Sequence, residues 1–351
     1  MPDSYVFKAI KGTKPDWYHT IRRYERSHLR KAIWQLINTF IPYFLVCILM
    51  YLSLIAGYSY LVILGLAIVA AGLLVRIFIF FHDCAHQSFF ASRKANTALG
   101  YVCGILTFTP YEEWRKSHGI HHNTAGNLDR RGKGDVWTLT IDEFNAASKL
   151  RRFWYRFFRN PFVLLGLGPA YLFLVSYRYP HKGARIRQHY SVIVTNAAIV
   201  AIIIVASLTI GFKAYALIQF PVIFMAGVIG VWLFYIQHQF EGVRWKRHDE
   251  WDSITASLQG SSYYKLPKVL QWFTGNIGLH HVHHLRARIP NYNLQCCYNE
   301  TPVLKTVTPL TIRKSLSCLW LKLWDEKEQK LVGFRIPGQA TVTVRWSGNR
   351  I

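Results

Sequence analysis

Four long apolar runs dominate the pattern of hydrophobic and polar positions along this chain. Each run is long enough to cross ~30 Å of hydrocarbon at about 1.5 Å per residue. The first two contain a single charged residue, Arg76. Core helices of soluble proteins seldom stay apolar all round for such lengths. We therefore predict four transmembrane helices in two hairpins, at about residues 34–58, 60–81, 190–211 and 214–236.

Three further stretches carry weaker apolar patterns. Ala98 to Pro110 and Pro161 to Tyr177 are short or interrupted by glycine and proline, so we predict segments that lie in the membrane interface or dip into it. Residues 310–323, LTIRKSLSCLWLKL, combine apolar side chains at helical spacing with lysine and arginine. This pattern predicts an amphipathic helix on the membrane surface.

Lysine and arginine indicate the orientation of the spans. The N-terminal segment holds RRYERSHLRK, whereas the turn at Gly57 to Ser59 has no charge and the turn between the last two spans has only Lys213. By the positive-inside rule, both termini, the middle region 81–189 and everything after Gln237 are cytoplasmic. We expect an all-α integral membrane protein of the bacterial inner membrane, with four spans and a cytoplasmic helical cap. The predicted divisions are 1–33, 34–299 and 300–351.

The net charge of +24 indicates that the protein contacts an anionic surface or an acidic partner. Lys149 to Arg156 interleaves basic and aromatic residues as an RNA-binding surface does, but beside membrane spans this mixture favours anionic lipid headgroups. We expect no nucleic-acid partner. An acidic electron-carrier protein is a further possible partner, because complementary charge speeds encounter. The six cysteines show no CxxC spacing, so we expect free thiols.

Histidine provides the candidate chemistry. Three clusters lie outside the predicted spans: HDCAH at 82–86, HGIHH at 118–122 and HHVHH at 280–284. Residues at i, i+3 and i+4 share one side of a helix, so each cluster predicts imidazoles that face together. The residues that share these faces are His82, His86, His118, His121, His122, His280, His283 and His284. His281 points about a third of a turn away.

Eight such imidazoles exceed what one ion can bind, because zinc takes four ligands, an octahedral metal takes at most six, and catalysis requires an open position. Two metal ions are implied. Neutral imidazole suits iron, copper, nickel and zinc, so the ligand type leaves the metal open. One alternative is a membrane transporter or sensor that binds zinc, although transporters bind near the bilayer midplane and these clusters lie outside the spans.

The histidine motifs and their surroundings resemble the membrane fatty acid desaturase family, and most closely its omega-6 (delta-12) acyl-lipid branch. The similarity extends over about residues 30–335. It is carried by HDCAHQSFF (82–90), WRKSHGIHHNTAGNLDRRGKGDVWTLT (114–140), FYIQHQFEGVRW (234–245) and KLPKVLQWFTGNIGLHHVHHLRARIPNYNL (265–294). One departure is Ala85, where the family more often has glycine. The resemblance implies a centre of two non-haem iron ions that uses O2 and two electrons to introduce a double bond into an acyl chain.

The resemblance also assigns the eight face-sharing histidines as iron ligands and adds His238, which follows the fourth span. Asp83, Glu241 and Asn276 are candidates for orienting ligand imidazoles, with Asp129 and Asp135 as weaker ones. Apolar groups of the spans are expected to line a substrate tunnel, with Trp137 and the strip 134–140 as a candidate lid.

Two questions stay open at the sequence level. The chain has no HPGG haem motif, so we expect a separate electron donor, ferredoxin-like or cytochrome b5-like. An alternative of related chemistry is a lipid or carotenoid hydroxylase or ketolase, because the same iron site can insert oxygen. The depth of the tunnel determines where a double bond forms, and no motif reports that depth.

Overall fold

The computed structural model describes residues 14–132 and 134–334. The parts of the predicted terminal segments at 1–13 and 335–351 lie outside the described residues. The helices are α1 (Asp16–Thr20), α2 (Leu29–Ile55), α3 (Tyr60–Ala85), α4 (Arg93–Leu106), α5 (Tyr111–Thr124), α6 (Ile141–Ala146), α7 (Lys149–Phe158), α8 (Gly168–Leu174), α9 (Ile186–Thr209), α10 (Phe212–His238), α11 (Ser253–Gly260), α12 (Lys268–Phe273), α13 (His280–Leu285), α14 (Asn291–Glu300) and α15 (Ile312–Ser317). The strands are β1 (Leu139–Thr140), β2 (Tyr263–Lys265), β3 (Pro309–Thr311), β4 (Leu323–Asp325) and β5 (Lys330–Val332).

In the part of the chain that the structure describes, four helices are long and apolar enough to cross a membrane: α2, α3, α9 and α10. They confirm the four predicted spans, although most helix ends extend beyond the predicted limits. Helix α3 continues through His82 to Ala85, and α10 ends at His238. Helices α7 and Val163–Arg178 meet at a bend of 66°, which is the geometry of a broken span or a re-entrant segment. This bend agrees with the predicted dip at Pro161 to Tyr177.

Helix α3 is the central span. It packs against α2, α4 and α10, and its side chains from Leu73 to Ala85 are nearly all buried. By contrast, α2 and α9 expose large apolar side chains such as Leu45 and Leu208, which suits contact with lipid. Helix α4, in the region predicted to lie at the interface, approaches α5 closely because Gly100 lies against the ring of Tyr111.

Arg76, the single charge within the predicted spans 34–58 and 60–81, is buried against α12. Its Nε donates a hydrogen bond to Oγ1 of Thr39 at 3.0 Å, and its Nη1 donates to the carbonyl of Trp272. The guanidinium group also lies 4.2 Å from the centre of the Trp272 ring. A buried cation requires such compensation. Arg76 thereby attaches α12, which precedes the third histidine motif, to the central span.

A cap covers the ends of α3 and α10 at His82 and His238. It contains α5 and α11 to α15, and one of its cores is formed by apolar side chains of α11, α13 and α14 with Ile21 and Tyr24. Two small sheets, β1-β4-β5 and β2-β3, tie the chain beyond residue 308 to the cap. The molecule is mainly helical, as predicted, with these short strands in addition.

The prediction of an amphipathic helix at residues 310–323 is wrong. The segment divides into strand β3, the six-residue α15, a 3-10 turn at Cys318–Trp320 and the start of β4. Leu310 and Leu323 are buried because they pair with Tyr264 and Leu139 in parallel strands. Their apolar character reflects sheet pairing, and only the exposed Ile312, Leu316 and Trp320 are available to a surface.

Candidate metal centre

Nine histidines converge at the junction of the spans and the cap, and they form two clusters. Within each cluster, the potential ligand atoms all lie within 4.8 Å of one another. The first cluster consists of His82, His86, His118, His122 and His283. The second cluster consists of His121, His238, His280 and His284.

The first cluster is assembled from three helices. His82 and His86 lie one turn apart at the end of α3, with ring centroids separated by 4.8 Å. The Nε2 atom of His122 lies 3.0 Å from Nε2 of His118 and 3.0 Å from Nε2 of His283. The ends of α3, α5 and α13 therefore direct their imidazoles to one point.

The second cluster is centred on the last residue of α10. Nε2 of His238 lies 3.0 Å from Nε2 of His121 and 3.0 Å from Nε2 of His280. The ring of His284 lies 4.8 Å from that of His238. The two clusters are adjacent, since the rings of His122 and His284 stack at 4.1 Å.

Each HxxHH motif is divided between the two clusters. His118 and His122 belong to the first and His121 to the second, whereas His280 and His284 belong to the second and His283 to the first. The expectation that each motif aims at a single place is therefore wrong. At about 100° per residue, positions i and i+4 are 40° apart, but i+3 and i+4 are 100° apart. A helix that lies between two clusters consequently supplies both.

The donor atoms suit a transition-metal ion. Burial and neighbouring imidazoles hold the pKa of His118, His122 and His283 well below the usual histidine value, so these rings are neutral at physiological pH and have a free lone pair. Among the described residues, the buried Nε2 atoms of His82, His86 and His284 have no hydrogen-bond partner. A separation of 3.0 Å would also let both nitrogens bind one ion, since metal–nitrogen bonds are about 2.1 Å long.

Three groups contact rings of the two clusters at the Nδ1 nitrogen. Nδ1 of His121 lies 2.5 Å from Oδ1 of Asp135, and Nδ1 of His238 lies 3.2 Å from the carbonyl oxygen of Gly260. Nδ1 of His82 lies 3.3 Å from Oδ1 of Asp83. Such partners fix the tautomer and direction of a ligating imidazole. Among the carboxylates proposed for this purpose, the structure places Asp83 and Asp135 in position.

The other candidates lie elsewhere. Asn276 does not contact a cluster histidine; it donates a hydrogen bond to the carbonyl of Asn291, whose amide groups bind Asp83. Asp129 is exposed and pairs with Arg247. Glu241 is exposed and forms no described hydrogen bond to a cluster histidine, so its proposed orienting role is wrong. Glu241 lies three residues beyond the end of α10, where the chain turns at Gly242 with a φ of +86°.

Two contributors were missed by sequence reasoning. Trp114 stacks on His118 at 4.1 Å and 21°, and the carbonyl of Gly260 contacts His238. The four-residue spacing of Trp114 and His118 on α5 could have indicated the first, whereas no side-chain pattern reports a carbonyl. His281 is buried but belongs to neither cluster, in agreement with its predicted direction; its ring lies 5.8 Å from that of Tyr263.

A cavity of about 380 Å³ adjoins the clusters. His82, His118 and His280 form part of its wall. The lining from α3, α8 and α10 is mainly apolar and forms what we call the apolar end, whereas Glu113 and His181, which lie outside the four spans, form the polar end. Gly134 and Asp135 of the predicted lid line the cavity, but Trp137 packs on Tyr155 and Phe158 instead.

Comparison with known proteins finds similarity to fatty acid desaturases. Residues 58–304 match the sequence profile of the family described as fatty acid desaturase. A fatty acid desaturase of Bacillus subtilis is 46% identical over 315 residues, which cover 90% of this chain and 89% of that protein. An sn-1 oleoyl-lipid 12-desaturase of Synechocystis is 24% identical over 64% of each chain. An sn-1 acyl-lipid omega-3 desaturase (ferredoxin) of Nostoc is 25% identical over 71% of this chain and 69% of its own.

Proposed function

Since the chain belongs to the fatty acid desaturase family, and is therefore an oxidoreductase that acts on acyl chains, we propose that its two histidine clusters bind two iron ions. The proposed reaction introduces a double bond into an acyl-lipid with O2 and two electrons. The observation that carries this proposal is the convergence of nine histidines, in groups of five and four, beside a cavity with an apolar end.

The overall reaction is an oxidation of two adjacent methylene groups. A –CH2–CH2– unit, O2, two protons and two electrons from a donor give –CH=CH– and two molecules of water. Methylene C–H bonds have no acidity that a side-chain base could exploit. When bound, the iron ions supply the O2 chemistry that such bonds require.

The protein's own residues would hold the ions, orient the imidazole rings and exclude water from the acyl chain. The described histidines would hold the ions, and Asp83, Asp135 and the Gly260 carbonyl keep three of the rings in place. The apolar wall of the cavity, which includes Leu74 and Phe78, would bind the acyl chain without water. A chain fixed beside His82 and His118 presents only certain carbons for reaction, which is the positioning contribution to catalysis.

The proposed acyl-lipid substrate rests on relatives named as lipid desaturases. Their names give two different positions for the double bond, 12 and omega-3, and the name of the 46% identical relative gives none. The delta-12 position therefore stays a prediction that product analysis can test.

We also propose a separate electron donor of the ferredoxin type, with a cytochrome b5-like protein as the other candidate. The name of the Nostoc relative includes ferredoxin, and the net charge of +24 favours an acidic carrier. The proposed location is the bacterial inner membrane, with the clusters and both termini on the cytoplasmic side. Anionic lipid headgroups would contact the basic cap.

The test combines metal content with product analysis. The membrane-embedded wild-type protein is expected to contain close to two irons and to form a double bond without added oxygen in the acyl chain. Product with an inserted hydroxyl or keto group would instead indicate a hydroxylase or ketolase. Zinc as the only metal, without O2 consumption, would contradict the proposed function.

His238 and His281 provide a matched pair of variants. Both imidazoles are buried, but only His238 belongs to a cluster. We expect His238→Ala to lose most of the product and part of the bound iron, whereas His281→Ala keeps both. Full iron and near-normal product in His238→Ala would show that this residue is not a ligand.

A further inference from the structure

Two glycines of α10, Gly227 and Gly230, line the cavity on one side of the helix. Their surroundings differ. A Cβ at Gly227 would lie 3.1 Å from a side-chain atom of Pro169 and 3.3 Å from one of Phe173. A Cβ at Gly230 would meet no heavy atom within 4 Å. Gly227 therefore permits close packing with α8, whereas Gly230 leaves space open inside the cavity.

The open space at Gly230 lies between the histidines and the apolar end. Gly230 precedes His238 by eight residues, which is about 12 Å along the helix. The cavity continues to Ile223, about 10 Å further from His238 along the same helix. On the facing span, Leu74 lies about 12 Å from His82 and also lines the cavity.

The two ends of the cavity differ in polarity, and this difference orients an acyl chain. At one end, the buried carboxylate of Glu113 contacts Nδ1 of His181 and accepts a hydrogen bond from Nε2 of Gln188 at 2.7 Å. At the other end, Leu74, Ile223 and Ala226 present only apolar atoms. The methyl end of a chain therefore belongs at Ile223, and the carboxyl end lies toward Glu113.

We propose that Gly230 determines how many carbons of the acyl chain extend past the histidines, and hence which chain lengths and double-bond positions the enzyme favours. This inference rests on the proposed function. A side chain at position 230 would occupy the space through which the methyl segment passes. The chain would then stop nearer the histidines, and carbons closer to its methyl end would lie beside them.

The test is Gly230→Leu, expressed in a host that lacks polyunsaturated lipids, with product fatty acids identified by mass spectrometry. The product is expected to have fewer carbons between the double bond and the methyl end, and the wild-type product is expected to fall at least about tenfold. Ile223→Ala lengthens the apolar end and is expected to shift the product in the opposite direction.

Gly65→Leu is the matched control, because Gly65 is an exposed glycine of span α3 where an added Cβ would meet no heavy atom within 4 Å. It should leave the product distribution unchanged. An unchanged distribution in membrane-inserted Gly230→Leu, or the same shift in Gly65→Leu, would overturn the inference.

If Gly230→Leu fails to insert into the membrane, Gly230→Ala and Ile223→Ala test the inference instead. Wild-type product distributions in both variants would overturn the inference. Wild-type protein that forms no double bond would contradict the proposed function itself, whereas a normal wild-type product with unshifted variants contradicts only the role of Gly230.

Discussion

At the scale of single residues, Asp135 is the polar group whose contact with a cluster is shortest. Its Oδ1 lies 2.5 Å from Nδ1 of His121. We expect Asp135→Asn to reduce iron affinity or activity by about 10–100-fold, because an amide oxygen orients the imidazole less strongly than a carboxylate does. Iron content after dialysis against a graded series of chelator concentrations, together with product yield, measures this effect.

Asp129→Asn is the control for that variant. Asp129 lies in the same loop but is exposed, and it pairs with Arg247 at 2.5 Å. The substitution should leave iron content unchanged. Equal iron retention by Asp135→Asn and the wild-type protein would mean that the contact with His121 has no orienting role.

The sequence predicted the residues of the candidate centre better than their grouping. Helical spacing brought the eight histidines of the three motifs together, and the family resemblance added His238, which follows the fourth span, as the ninth. The division of each HxxHH motif depends on where α5 and α13 lie relative to both clusters, which spacing within one helix cannot report. Asp135 reaches His121 through a loop, so no periodic pattern connected them.

At the scale of helices and strands, the close contact of α4 and α5 depends on Gly100. A Cβ at this position would overlap the ring of Tyr111, whose hydroxyl donates a hydrogen bond to the carbonyl of Cys84 at 2.7 Å. We expect Gly100→Ala to destabilise the protein by about 1–3 kcal/mol through overpacking. Thermal unfolding in detergent, followed by tryptophan fluorescence, should show the lower Tm.

Gly65→Ala makes the same chemical change where space is free. Alanine favours a helix over glycine by roughly 0.5–1 kcal/mol, so this control should leave the Tm unchanged or raise it. A Tm for Gly100→Ala equal to that of Gly65→Ala would show that α4 and α5 can separate without cost.

Long elements were predictable and short ones were not. The four spans follow from length and apolar composition alone, since a bilayer sets both. Strands β1 to β5 contain only two or three residues each, too few for an alternating pattern to emerge. Leu323 consequently fitted the helical period of Ile312, Leu316 and Leu319 by chance, although its partner in the sheet is Leu139.

At the scale of the whole molecule, the proposed orientation can be tested with thiol labelling. All six cysteines are free, and Cys296 is exposed on the cap. Tyr58 is exposed in the turn between α2 and α3, at the opposite end of α3 from His82. A membrane-impermeant maleimide should label Tyr58→Cys in intact cells, and Cys296 only after permeabilisation, because basic segments stay in the cytoplasm.

The wild-type protein serves as the control for Tyr58→Cys in that experiment, since it differs only in the added thiol. Labelling of Cys296 in intact cells, with Tyr58→Cys protected, would reverse the proposed orientation and place the histidine clusters outside the cytoplasm.

The pairing of β1 with β4 and of β2 with β3 also has a consequence for the order of events during synthesis. Strand β1 follows Asp135 closely, and β2 lies between Gly260 and the third histidine motif, so both adjoin segments that support the two clusters. Their partners, Pro309–Thr311 and Leu323–Asp325, leave the ribosome only after His284, the last of the nine histidines. The spans can enter the bilayer one hairpin at a time, but the cap gains its final strands only afterwards. Iron loading is thus expected to be a late, post-insertion event in the life of each molecule.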